Sequence, residues 1–166
     1  MLIRQIPFNK KIQYPFHNPS TIVMLAAGTG ITPMYQALQY MFPSNANHPN
    51  KTQTAVDTNV ILLYASRTPK DIYLKKELTN IQTQFPGRFQ FFHILSSKQQ
   101  RINQELLQNI LQSNHLLKRN KKKEDLQIWI CGPPTFYDSL CGPRTDQQLS
   151  GILHRLGYSL SQIVKF

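Results

Sequence analysis

The chain has 166 residues, 40% of them hydrophobic, and a formal net charge of +11. That length suits one domain of ordinary size with a modest core, and no run approaches the roughly 18 to 20 apolar residues of a membrane helix. The start of the chain has no secretory-signal pattern, and Cys131 and Cys141 alone make neither a disulfide framework nor a structural metal site.

Apolar runs then alternate with helical patterns. Ile22 to Ala26 predicts a first strand and Pro33 to Met41 the helix after it. Phe42 to Thr58, rich in Asn, Pro and Thr, predicts a long surface loop. Asn59 to Tyr64 predicts the second strand, and Asp71 to Gln82 a helix burying Ile72, Leu74, Leu78 and Ile81. Pro86-Gly87 is a turn before a third strand, Phe89 to Leu95. Asn103 to Gln112 carries Leu106, Leu107, Ile110 and Leu111 at helical spacing. A basic loop comes next, with Lys118, Arg119, Lys121, Lys122 and Lys123. Leu126 to Cys131 predicts the fourth strand, Pro134 to Leu140 and Leu149 to Leu156 two helices, Gly157 a stop, and Ile163 to Phe166 a short last strand.

Strands separated by helices predict an α/β fold: a doubly wound, parallel five-stranded sheet in three layers, α/β/α. Ligands of such sheets bind outside the carboxyl ends of the strands, where the strand order reverses. Two glycine motifs fall at such ends. Gly28-Thr29-Gly30-Ile31-Thr32-Pro33 comes after the first strand, and Cys131-Gly132-Pro133-Pro134 ends the fourth. A strand that breaks into a glycine turn and restarts as a helix aims backbone N–H groups at an anion. Gly28 and Gly30 permit tight turns and close ligand approach, Thr29 and Thr32 offer hydroxyls, and Pro33 suits the first helical position. A plain strand-to-helix turn is the bland alternative for each motif alone.

The GTGITP run, the CGPP run and the aromatic carboxyl terminus together resemble the pyridine-nucleotide half of flavin reductases of the ferredoxin–NADP reductase and cytochrome b5 reductase type. The resemblance extends from about Thr21 to Phe166. It implies NAD(P)H and FAD as cofactors. Gly28, Thr29, Gly30, Ile31, Thr32 and Pro33 would line the pyrophosphate and nicotinamide. Cys131, with Gly132, Pro133 and Phe136 around it, would sit beside the nicotinamide and align its C4 with the flavin, a positioning role rather than covalent chemistry. A buried, inert thiol is the alternative for Cys131. Phe166 would lie near the flavin ring, or simply close the last strand. Ser66, Arg67 and Asp71 fall at the adenosine end, where Arg67 is a phosphate contact or a solvated loop cation.

NADH-preferring members commonly carry an acid after the third strand. Here Leu95-Ser96-Ser97-Lys98 precedes Arg101, so Ser96 and its basic neighbours leave NADH against NADPH open. The family's flavin-binding β-barrel motif, Arg-x-Tyr-Ser/Thr, is absent, and Arg4 to Phe16 resembles only the tail of such a barrel. The expectation is therefore residues 1–20 as a barrel remnant and 21–166 as the NAD(P)-binding domain, either a fragment or a chain whose flavin domain is supplied elsewhere. The stretch from Leu140 to Tyr158 also resembles fungal mitochondrial members, including relatives linked to haem attachment to cytochrome c, which implies a mitochondrial, membrane-facing location.

Two functions fit these residues. One is an NAD(P)H-dependent flavoprotein reductase passing electrons through FAD to a haem protein, the basic surface suiting an acidic redox partner. The other is a truncated, non-catalytic nucleotide-binding or interaction module. Nucleic acid is not expected as a partner, since no recognition motif accompanies the charge.

Overall fold

The computed structural model describes residues 19–43, 58–98, 100–113 and 125–166. The expected barrel tail, most of the expected long loop and the lysine run lie outside these residues. The ten main elements are β1 (Thr21–Ala27), α1 (Ile31–Met41), β2 (Asn59–Ser66), α2 (Lys75–Gln84), β3 (Phe89–Leu95), α3 (Gln104–Ser113), β4 (Leu126–Cys131), α4 (Pro134–Leu140), α5 (Gly151–Arg155) and β5 (Ile163–Lys165). The strands form one sheet in the order β3-β2-β1-β4-β5, every neighbouring pair parallel.

Every residue of β1 from Thr21 to Ala26 is buried. A central parallel strand is covered on both faces, so it reads as an unbroken apolar run rather than an alternating one. Ile22, Met24 and Ala26 face a cluster containing Met34, Ala37 and Leu38 of α1 and Leu78 and Ile81 of α2. Val23 and Leu25 face the other cluster, with Leu107 of α3, Leu140 of α4, and Ile152 and Leu153 of α5. Two helical layers thus sandwich the sheet. The chain leaves β1 toward β2 and β3, returns across β1 to β4, and so reverses strand order between β1 and β4.

Several boundaries differ from the sequence expectation. The first helix begins at Ile31, two residues early, so Pro33 sits third in the helix. Its missing N–H still costs nothing there, because first-turn N–H groups have no helical acceptor. Phe42 is not a loop residue. It is buried, closes α1, and packs its ring 5.2 Å from Phe85 and 5.6 Å from Phe89, with the Arg88 guanidinium 5.3 Å from its centroid. The helix expected from Asp71 begins at Lys75. Asp71 belongs instead to a separate 3-10 turn, Pro69–Asp71, closed by a reciprocal box with Thr68. Ile72 is then extended, and Leu74 takes a left-handed φ of 59° before α2 starts. The last long helix is shorter than expected, Gly151–Arg155, and Gly157 ends it with a φ of +73°.

Candidate functional site

The register of the sheet puts Ala26 opposite Tyr64 of β2 on one side and Cys131 of β4 on the other. Tyr64 in turn pairs with His93 of β3. One row therefore crosses the carboxyl ends of four strands. Directly beyond Ala27 the chain makes a short 3-10 turn, Gly28–Gly30, and enters α1.

Gly28 and Gly30 are glycine for different reasons. Gly28 has a φ of +55°, and nothing lies within 4 Å of where its Cβ would be. Its lack of a side chain serves a left-handed turn and keeps an open approach. Gly30 has an ordinary helical backbone, with φ −61° and ψ −8°. A Cβ there would stand 2.1 Å from the Cys131 carbonyl oxygen and 2.9 Å from the Gly132 nitrogen. The two glycine motifs thus meet backbone to backbone across the β1–β4 crevice. Gly132 is pressed in turn by the Phe136 ring, 2.7 Å from its virtual Cβ, and by the Ala27 methyl at 3.0 Å.

The remaining residues of the first motif divide between ligand face and core. Thr29 is exposed and Ile31 is buried, its side chain in the α1-side core. The Thr32 hydroxyl donates to the Thr29 carbonyl, so this hydroxyl braces the turn rather than standing ready for phosphate. At the second motif Cys131 is half-buried, Pro133 exposed and Phe136 half-buried. Burial pushes the Cys131 thiol pKa up, against a hydrogen bond with the Tyr137 hydroxyl and the nearby Arg144 charge. The thiol is thus uncharged at neutral pH, which suits a packing and positioning surface and not a nucleophile.

Tyr137, which carries no motif in the sequence, anchors this corner. It is buried, and its hydroxyl lies 2.6 Å from the Phe166 main-chain oxygen and 3.2 Å from that of Ile130. Burial and the neighbouring Cys131 push its pKa up to about 12. The Phe166 N–H donates to the Ile130 carbonyl, 3.1 Å, continuing the β4–β5 ladder. Phe166 is 6% exposed and packs its ring 5.7 Å from Trp129, so it closes the last strand and turns into the core.

The β2 and β3 ends are built from side chains. Ser66 is buried, with its hydroxyl 2.8 Å from His93 Nε2. Burial, aided by the Lys75 charge, lowers the His93 pKa, so the ring is neutral at pH 7. The Asp71 carboxylate accepts from the Thr68 N–H at 2.9 Å and the Thr68 hydroxyl at 2.7 Å. These bonds, with a smaller contribution from Arg67, hold its pKa below the usual carboxylate value. Ser66 and Asp71 therefore spend their side chains on shaping the loop. Arg67, Ser96 and Lys98 are exposed, and the Ser97 N–H donates to the Arg67 carbonyl at 3.0 Å, tying the two loops together. The Thr68-to-Asp71 box is legible as a T-x-x-D pattern; Tyr137 and His93 carry no comparable signal.

Comparisons with known proteins agree with this geometry. Residues 24–142 match the family model described as "Oxidoreductase NAD-binding domain". The NADH-cytochrome b5 reductase 2 of Aspergillus oryzae is 36% identical over 167 residues, covering 94% of this chain and 47% of that protein. That of Neurospora crassa is 36% identical over 156 residues, 87% of this chain and 41% of that protein. The chain spans less than half the length of these relatives. Among solved structures, the CS-b5R domains of human Ncb5or in the NAD+ form share 26% identity with a TM-score of 0.63, over 90% of this chain and 37% of that one. The cytochrome b5 reductase domain of Ulva prolifera nitrate reductase has a TM-score of 0.61 at 23% identity, over 89% of this chain and 50% of that one, a likeness of fold.

Proposed function

Because this chain belongs to the oxidoreductase NAD-binding domain family, we propose that it is the pyridine-nucleotide half of an NAD(P)H-dependent flavoprotein reductase of cytochrome b5 reductase type. The observation that carries this reading is the seating of Gly30 on the Cys131 carbonyl beside the open space at Gly28. That pairing brings the two glycine turns together at the strand-order reversal, with the approach at Gly28 free of neighbouring atoms, as a dinucleotide requires. The residues fit the group: a left-handed glycine gives access, and N–H groups at the start of the α1 turn supply donors for pyrophosphate.

The nicotinamide, when bound, supplies a hydride. This chain's own residues bind and orient. The glycine turn would hold the pyrophosphate, while Cys131 and Gly132 would form the surface that fixes the ring. An uncharged thiol there excludes water without competing for the reacting carbon. The Phe166 ring packs against Trp129. The flavin is assigned to a separate domain, as the resemblance implies. A haem protein as final acceptor, and a mitochondrial membrane-facing location, are proposed from the resemblance; among the described residues no helix is long and apolar enough to cross a membrane.

At the adenosine end, exposed Arg67 and Lys98 flank loops whose acid, Asp71, is engaged by Thr68. This supports acceptance of a 2′-phosphate beside the plain ribose. Calorimetric titration with ADP-ribose, NAD+ and NADP+ tests the whole reading. Saturable binding of all three is expected; binding of none would overturn it. Nucleotide-dependent dye reduction by the chain joined to a flavin-binding domain distinguishes the reductase half from a non-catalytic module with the same crevice, which would bind nucleotide and reduce nothing.

A further inference from the structure

Tyr64 stands out among the groups to which nucleotide binding assigns no part. Its side chain is fully buried, yet it carries a phenol at the end of an apolar strand. A buried hydroxyl needs a partner, and this one is 3.0 Å from the Gly28 carbonyl oxygen. The same carbonyl accepts the Ile31 N–H that opens α1. Both lone-pair directions of the Gly28 oxygen are thereby used from inside the protein. The phenol also hydrogen-bonds the Tyr73 main chain, and burial keeps it protonated. Tyr73 directly precedes Leu74, the one described non-glycine residue with positive φ.

We propose that Tyr64 is a positioning residue that aims the Gly28–Thr29 peptide, and with it the Thr29 N–H, at the pyrophosphate of the bound nucleotide. This rests on the nucleotide-binding function proposed for the crevice. The peptide unit is planar and trans, so its C=O and N–H point in opposite directions. A carbonyl held inward by Tyr64 turns the Thr29 N–H outward, into the open space beside Gly28. Without that bond only the Ile31 N–H holds the Gly28 carbonyl, and glycine tolerates many backbone states. A donor fixed before the ligand arrives costs no ordering when it binds. Through Tyr73 the same phenol joins the glycine turn to the segment leading into α2.

The test compares two probes, ADP-ribose and adenosine, on the intact chain and on Tyr64→Phe. Loss of one net hydrogen bond predicts about fivefold weaker ADP-ribose binding. Adenosine, which lacks phosphate, should bind as before. A general loosening of the fold would weaken both probes equally, and that result, or unchanged ADP-ribose affinity, overturns the assignment. Site-specific 3-fluorotyrosine at position 64 is a second variant that leaves packing intact and makes the phenol a stronger donor. It should tighten ADP-ribose alone, and no change there counts against the proposal. A wild-type chain that binds neither probe removes the nucleotide reading, and this assignment with it.

Discussion

The carboxyl ends of β1 and β4 and those of β2 and β3 are neighbours in one sheet and are built by opposite means. At the β1–β4 corner main chain meets main chain, Gly30 against Cys131, and the Ala27 methyl and Phe136 ring close on the Gly132 backbone. The β2–β3 corner is held by side chains: Ser66 to His93 and Thr68 to Asp71, with the Ser97 N–H bonded to Arg67 beside them. Gly30 in the first has no room for a side chain, whereas the second lies among exposed residues, Arg67, Ser96 and Lys98. A ligand's invariant part, its pyrophosphate and nicotinamide, suits the former; the part that differs between NADH and NADPH suits the latter.

Replacing Gly30 with Val should break the first corner most severely. Its Cβ would overlap the Cys131 carbonyl, and main chain cannot swing aside as a side chain can. Overpacking costs about 1–3 kcal/mol or more, so thermal melting should fall sharply and nucleotide binding with it. A variant that melts like the wild type would refute the contact. Gly28→Val sharpens the contrast within the same turn. Its Cβ meets nothing, and the left-handed φ costs about 1–2 kcal/mol. The fold should persist while ADP-ribose affinity falls, since the branched side chain occupies the ligand's approach.

Tyr137→Phe probes the anchor beneath the first corner and should cost about 1 kcal/mol. Its pH signature is more telling. Folding raises the Tyr137 pKa from its ordinary 10.0 to about 12. A raised folded pKa gives stability that is whole below the unfolded value and is lost as pH climbs through the folded one. Wild-type stability should therefore decline between these values, and the variant should lose that part of the decline. Identical alkaline profiles would show that the phenol titrates no differently once folded. Arg67→Gln tests the second corner and carries the smallest effect. An exposed charge contributes about 0.2–1 kcal/mol, so NADP+ affinity should drop up to about fivefold while NAD+ affinity barely moves. Equal losses for both would place Arg67 away from the 2′ position.

Legibility in the sequence divides along the same line. The sheet, its two faces and both glycine turns are readable, because apolar runs and obligatory glycines leave a mark at fixed positions. What Gly30 touches is not, since a glycine required by a neighbouring main chain looks the same as one required by a ligand. The motif around Thr32 predicts an outward hydroxyl, which in the fold braces Thr29. The pattern from Asp71 predicts the opening of a helix, yet that residue closes a separate turn through Thr68. Tyr64, Tyr137 and His93 leave no mark, because a polar group inside an apolar strand or helix declares its partner only in three dimensions. The Asn- and Pro-rich composition after Phe42 predicts a loop there, although the ring belongs to the core.

Amide chemical-shift mapping of the labelled chain during titration with ADP-ribose tests the shared crevice most directly. Thr29 and Gly30 on one turn and Gly132 on the other should shift together, along curves that fit a single dissociation constant. Shifts confined to one turn, or curves with unrelated constants, would contradict a dinucleotide site built from both.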